Sequence, residues 1–186
     1  MKEKMSLQRK KIRDEWVETI RAAKTLAGRN IVANRANKNW HEDLPAVNIY
    51  PESEISGEIF ENAPIRMKRT LQIAIECIVQ GKNEKVAADE LDLLMDQIEQ
   101  AILYRISFDE EFRCIMDQVD LAGIELEFTE TGKNVIAAGR LEWTVRYFTD
   151  VRDGIRLNND LDKANVGYSV GDDSENEVDQ FSVPTT

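Results

Sequence analysis

The sequence predicts an α+β fold: a mixed, mainly antiparallel sheet with two long strands packed against an N-terminal helix and a central helix, plus a short helix and an irregular C-terminal tail. Two runs of period-two alternation carry this expectation, Arg66 to Val79 and Val135 to Phe148, with helical periodicity lying between them. In the first run Leu71, Ile73, Ile75 and Cys77 alternate with Thr70, Gln72, Ala74 and Glu76. In the second, Ala137, Gly139, Leu141, Trp143, Val145 and Tyr147 form an apolar row opposite Arg140, Glu142, Thr144 and Arg146. Typical strands hold about five or six residues. Strands of this length outrun a single core, and an overhanging strand pairs or packs against a neighbour, so the pattern predicts assembly.

The elements follow in order. Ser6 is placed to cap a helix in which Leu7, Ile12, Trp16, Ile20 and Ala23 recur at helical spacing, ending near Gly28. A short strand is expected within Asn30 to Arg35 and another over Ala46 to Tyr50, bracketed by Pro45 and Pro51. Between Pro51 and Pro64 the sequence reads as a polar, acidic loop in which Ile55, Ile59 and Phe60 stand out. They either insert into a partner or form a lid over their own subunit.

Gly81, Lys82 and Asn83 make a turn into the clearest helix, with Ala87, Leu91, Leu94, Ile98, Ala101 and Ile102 on one stripe. Ser107 with Glu110 matches a capping box that opens a short helix through Phe112, Ile115 and Met116. Ile124, Leu126 and Phe128 alternate into a strand, Thr131 to Asn134 turns the chain, and the second long strand returns as its hairpin partner. Residues 1–149 therefore read as one domain. From Asp150 onward the acidic, Asn-, Ser- and Gly-rich extension, residues 150–186, is too poor in apolar groups to order alone and is expected to order on assembly.

The 186 residues suit one domain with an extension, and a net charge of −11 argues against general affinity for nucleic acid. The charge is uneven. Lys2, Lys4, Arg9, Lys10, Lys11 and Arg13 crowd the start, whereas Asp172, Asp173, Glu175, Glu177 and Asp179 have no basic residue after them. The basic start either touches DNA or an acidic neighbour, or is a solvated helix face. Cys77 and Cys114 are too few for a disulfide framework and read as buried, reduced thiols, which predicts folding inside the cell. No apolar run reaches the roughly 20 residues of a membrane span, and the start lacks a signal peptide's apolar segment.

No catalytic constellation emerges. The single histidine, His41, sits in a polar connection and cannot build a His-based dyad or a multi-His metal site within one subunit. Gly132 and Lys133 lack the upstream glycine and the following Ser or Thr of a phosphate loop. With 35 acidic residues, carboxylate pairs such as Asp109 and Glu110 arise by abundance alone. Trp16 and Trp143 fit core faces, while Trp40, in a polar loop, is the one tryptophan suited to anchor an interface.

Taken together, these segments resemble the tail terminator family of long-tailed bacteriophages, also called minor tail or tail completion proteins. The resemblance rests on the opening helix with Ala22-Ala23-Lys24-Thr25-Leu26-Ala27-Gly28, then Asn34-Arg35-Ala36, then Asp43-Leu44-Pro45-Ala46-Val47-Asn48-Ile49-Tyr50. It continues through Arg69-Thr70-Leu71-Gln72-Ile73-Ala74-Ile75-Glu76 and closes with Ala138-Gly139-Arg140-Leu141-Glu142-Trp143-Thr144-Val145-Arg146-Tyr147. It implies a homo-hexameric ring on the last ring of the tail tube, which stops tube polymerisation and presents a surface to the head–tail connector or neck proteins. It implies no catalytic residue, no cofactor and no membrane, and DNA contact only as passage through the ring lumen. Under this reading Arg66, Lys68 and Arg69 meet acidic groups on a neighbouring subunit or tube protein, and Ile55, Ile59, Phe60 and Trp40 add apolar contact.

Overall fold

A computed structural model describes residues 8–33, 43–62, 65–131, 134–150, 163–167 and 178–182, without the side chains of 58, 60–62, 130–131, 150 and the last two segments. The chain runs helix α1 (Gln8–Ala22), strands β1 (Ile31–Val32), β2 (Ala46–Asn62) and β3 (Ile65–Gly81), and helices α2 (Glu84–Phe108) and α3 (Glu110–Cys114). Strands β4 (Gln118–Thr131), β5 (Asn134–Asp150), β6 (Lys163–Gly167) and β7 (Val178–Ser182) complete it. This is the α+β fold that the alternation predicts.

Five strands form one sheet in the order β1-β2-β3-β5-β4, parallel only between β1 and β2. The two predicted long strands are central neighbours, with Ile73 opposite Trp143 and Ile75 opposite Leu141. Period two then puts most of the large apolar side chains of this pair on one face, where α1 and α2 cover them, and leaves Ile78, Ile136 and Phe148 on the other. Leu71, Ile73, Ile75, Cys77, Leu141, Trp143 and Val145 are buried against Ile12, Trp16 and Ile20 of α1 and Leu91, Leu94, Ile98 and Ile102 of α2. Burial of each such side chain contributes roughly 1.5–3 kcal/mol. Trp16 meets Trp143 edge to face, with ring centroids 5.5 Å apart.

Several expectations are corrected. The segment from Pro51 to Pro64 is no loop: through Asn62 it is the far half of β2, a 17-residue strand paired along β3. Register shifts at Pro51/Ser53, Ser56/Ile59 and Ile59/Glu61 break the alternation that would have revealed it. Proline is accepted there because β1 pairs with β2 at Val47 and Asn48, and among the described residues no strand pairs with the rest of that edge. The sheet thus has four long strands, β2 to β5, where the sequence predicts two.

The first helix ends at Ala22, ahead of Gly28. Lys24 and Gly28 both take positive φ, 53° and 56°, so the chain turns before entering β1. The residue capping α3 is Asp109, whose Oδ1 accepts from the Phe112 N–H at 2.9 Å. Ser107 stays inside α2 and donates to the Leu103 carbonyl. Cys77 is buried but Cys114 is exposed, because a five-residue helix buries only one stripe, here Phe112. In the extension β6 and β7 pair with each other as a separate two-stranded sheet, so it is not irregular throughout. The expected Ser6 cap, His41 and Trp40 lie outside the described residues.

Candidate functional site

Exposed apolar side chains gather in three places. The first is the far end of β2 and β3, beyond the helices, where Ile55 is 63% exposed, Ile59 54% and Ile65 40%. Ile55 pairs across from Thr70 and Ile59 across from Met67, so register sends them to opposite faces of the sheet. Neither is a lid over its own subunit. The side chain of Phe60 lies outside the described residues.

The second place is the edge strand β4. Ile124, Leu126 and Phe128, each at least 41% exposed, lie opposite Leu141, Gly139 and Ala137 and so share the helix-facing side of the sheet. α2 packs over β3 and β5 and leaves this row uncovered. The third is a cleft of about 800 Å³ between the ends of α1 and α2, lined by Ala22, Ala23, Gln97, Ala101, Tyr104 and Phe108. The Tyr104 and Phe108 rings meet at a tilt of 43° with centroids 4.8 Å apart and stand mostly in solvent.

Arg66, Lys68 and Arg69 do not form one patch. Arg69 belongs to the helix side, where its guanidinium meets Glu54 at 2.8 Å and Thr149 Oγ1 at 2.9 Å. Lys68 points to the other face and pairs with Asp117 at 3.3 Å. Arg66 and Lys68 lie 4.9 and 5.7 Å from the centre of the Phe148 ring. These cations already hold the overhanging strand ends together within the subunit, so any contact with a neighbour is shared with intrachain partners.

The sheet face away from the helices is polar and laced across its strands. The Tyr50 hydroxyl donates to Glu76 at 2.5 Å, Arg140 bridges Glu52 at 2.5 Å and Glu142 at 3.0 Å, and Thr144 donates to Gln72 at 3.0 Å. Arg146 reaches Gln118 at 2.5 Å. The hydrogen bond with Glu52 raises the Arg140 guanidinium further above its ordinary value. Cross-strand pairs of this kind fix register more than they add stability.

Arg105 ties the helical layer together. It donates to Glu15 Oε2 at 2.8 Å and Thr19 Oγ1 at 2.7 Å on α1, to Asp109 at 3.0 Å, and packs over the Phe112 ring at 4.4 Å. The Phe112 N–H and then Arg105 hold the Asp109 carboxyl below its ordinary range. Burial, then Glu54, pushes the Tyr147 phenol up to about 12. Burial likewise pushes the Cys77 thiol up, which keeps it protonated. Among the described residues no three His, Cys, Asp or Glu side chains are grouped to hold a metal ion, and no helix is long and apolar enough to cross a membrane.

No family model matches the chain, and no curated protein is significantly similar to it. Two of the three apolar patches leave a signal in the sequence, the second of them as the alternation of Ile124, Leu126 and Phe128. Tyr104 and Phe108 stand four residues apart, off the buried stripe of α2, and Ile124, Leu126 and Phe128 belong to a strand whose partner row is interrupted by Gly139.

Proposed function

We propose that the chain is a structural subunit of a long-tailed phage particle. Copies close into a homo-hexameric ring on the last ring of the tail tube, end its polymerisation and present the docking surface for the head connector. The observation that carries this reading is the far end of β2 and β3, where Ile59 and Ile65 on the helix-side face and Ile55 on the opposite face all stand in solvent. A subunit that worked alone would gain nothing from exposed isoleucines on a strand extension, whereas a ring seated on a tube needs a rigid apolar projection. The task is contact, with no bond made or broken and no cofactor needed. DNA passes through the lumen.

Electron microscopy of the purified protein, alone and with polymerising tail tube protein, tests the reading. Rings with a central hole, and tubes that stop growing with one ring at the end, are expected. A protein that stays monomeric at every concentration, also beside tube and connector proteins, refutes it. The cleft between α1 and α2 favours a second reading, a small-ligand regulatory domain, which predicts ligand-dependent melting shifts without oligomers.

A further inference from the structure

The two edges of the large sheet differ in chemistry. At one edge β4 presents Asp120, Glu125 and Glu127, all exposed, on the polar face and Ile124, Leu126 and Phe128 on the helix face, and it contains no lysine or arginine. Asp120 is met by Arg146 at 3.8 Å, whereas among the described residues Glu125 and Glu127 have no ion-pair partner. At the other edge the turn that leads from α1 into β1 exposes Lys24 and Arg29 around Leu26, which is 40% exposed. Those two cations also have no ion-pair partner among the described residues. The turn is held rigid: the Leu26 N–H donates to Gln97 of α2 at 2.8 Å and the Gly28 N–H to the Thr25 carbonyl at 2.9 Å.

We infer that the β4 edge of one copy receives the Lys24–Arg29 turn of the next. Leu26 packs on the Ile124–Leu126–Phe128 row, and Lys24 and Arg29 reach over the strand edge to Glu125 and Glu127. The occupant is a second copy of this chain, because the two edges of the same sheet are complementary in both charge and apolar content. Two β4 edges cannot face each other, since that would set glutamates against glutamates. The acidic C-terminal extension is excluded as occupant on the same ground. Contact between unlike patches on opposite edges is heterologous, the kind that closes into a ring when its rotation permits. An edge strand with unpaired backbone groups and an apolar row is a template for such contact unless it is covered. This inference rests on the ring reading above and assigns its subunit interface.

Native mass spectrometry and sedimentation of three full-length proteins test it: Glu125→Lys with Glu127→Lys, Lys24→Glu with Arg29→Glu, and all four changes together. Each pair is expected to weaken self-association at least about tenfold through like-charge contact, and the fourfold variant to restore it. A cross-link provides the second measurement, which does not depend on charge reversal leaving the fold intact. In a Cys114→Ser background, Leu26→Cys with Leu126→Cys is expected to oxidise into disulfide-linked multimers, and either change alone is not. Rings that still form in both charge-reversed variants, or a double-cysteine protein that stays unlinked while assembled, overturn the edge assignment and leave the ring reading standing. A wild-type protein that never associates overturns both.

Discussion

Replacing Gly139 with alanine tests the closest approach of helix to sheet. Gly139 lies on the buried face of β5, between Ala137 and Leu141, directly under α2. A Cβ there would lie 2.4 Å from Met95 Sδ, 3.2 Å from Leu91 Cδ1 and 3.3 Å from Met95 Cε. Unstrained contacts between such heavy atoms need about 3.5–4.0 Å, so the sulfur is more than about 1 Å too close. Methionine is flexible and can swing aside, which keeps the overpacking cost near the ordinary range of about 1–3 kcal/mol. Removing glycine from a strand interior returns about 0.5–1 kcal/mol. A net loss of about 0–2.5 kcal/mol follows, read as a lower urea midpoint at unchanged slope. Met95→Ala alone should cost about 2–5 kcal/mol through its cavity. In the double variant the new methyl fills part of that cavity, so the two losses should fall short of additivity by about 1 kcal/mol or more. A Gly139→Ala protein clearly more stable than wild type, or strict additivity in the double, refutes the packing of α2 on β5.

The remaining predictions address the ends, the cap and the extension. Ile55→Ser with Ile59→Ser should leave monomer stability within about 0.5 kcal/mol, because both side chains are already exposed, while weakening binding to tail tubes; calorimetry and co-sedimentation check the two halves. Asp109→Asn should melt below wild type at pH 7. Its folded carboxyl sits under the ordinary 3.8, so the stabilisation is complete above that value and fades as pH falls through the folded pKa, and the melting gap should narrow as the pH is taken below 3.8. A chain ending at Asp150 should melt within a few degrees of the full protein, since β6 and β7 pair only with each other; precipitation or loss of cooperative melting counts against this.

Period two in β3 and β5 and the stripe on α2 were legible because each pattern follows one buried face for many residues without interruption. Trp16 and Trp143 were likewise legible as core, their positions falling on those faces. The far half of β2 was not. Its three register shifts reset the alternation, and Pro51 and Gly57 imitate loop chemistry, so only the β3 partner reveals that the segment is a strand. Capping failed for a related reason: Ser107 and Asp109 are both good caps, and the choice fell to the Arg105 hydrogen bond that holds Asp109 in place. Nothing local says which strand ends up at a sheet edge. The exposure of Ile124, Leu126 and Phe128 is a property of strand order, and strand order is set by the whole chain.

The edge-to-face tryptophans have a spectroscopic consequence. Trp16 rides on α1 and Trp143 on the central sheet, and both indole N–H groups are buried without an acceptor among the described residues. Two chromophores coupled at van der Waals distance in a dry site emit at shorter wavelength than hydrated indole and give a paired near-ultraviolet dichroism signal that vanishes once they separate. Detachment of the first helix is therefore visible by light alone, without a label, in a lone subunit or an assembled particle.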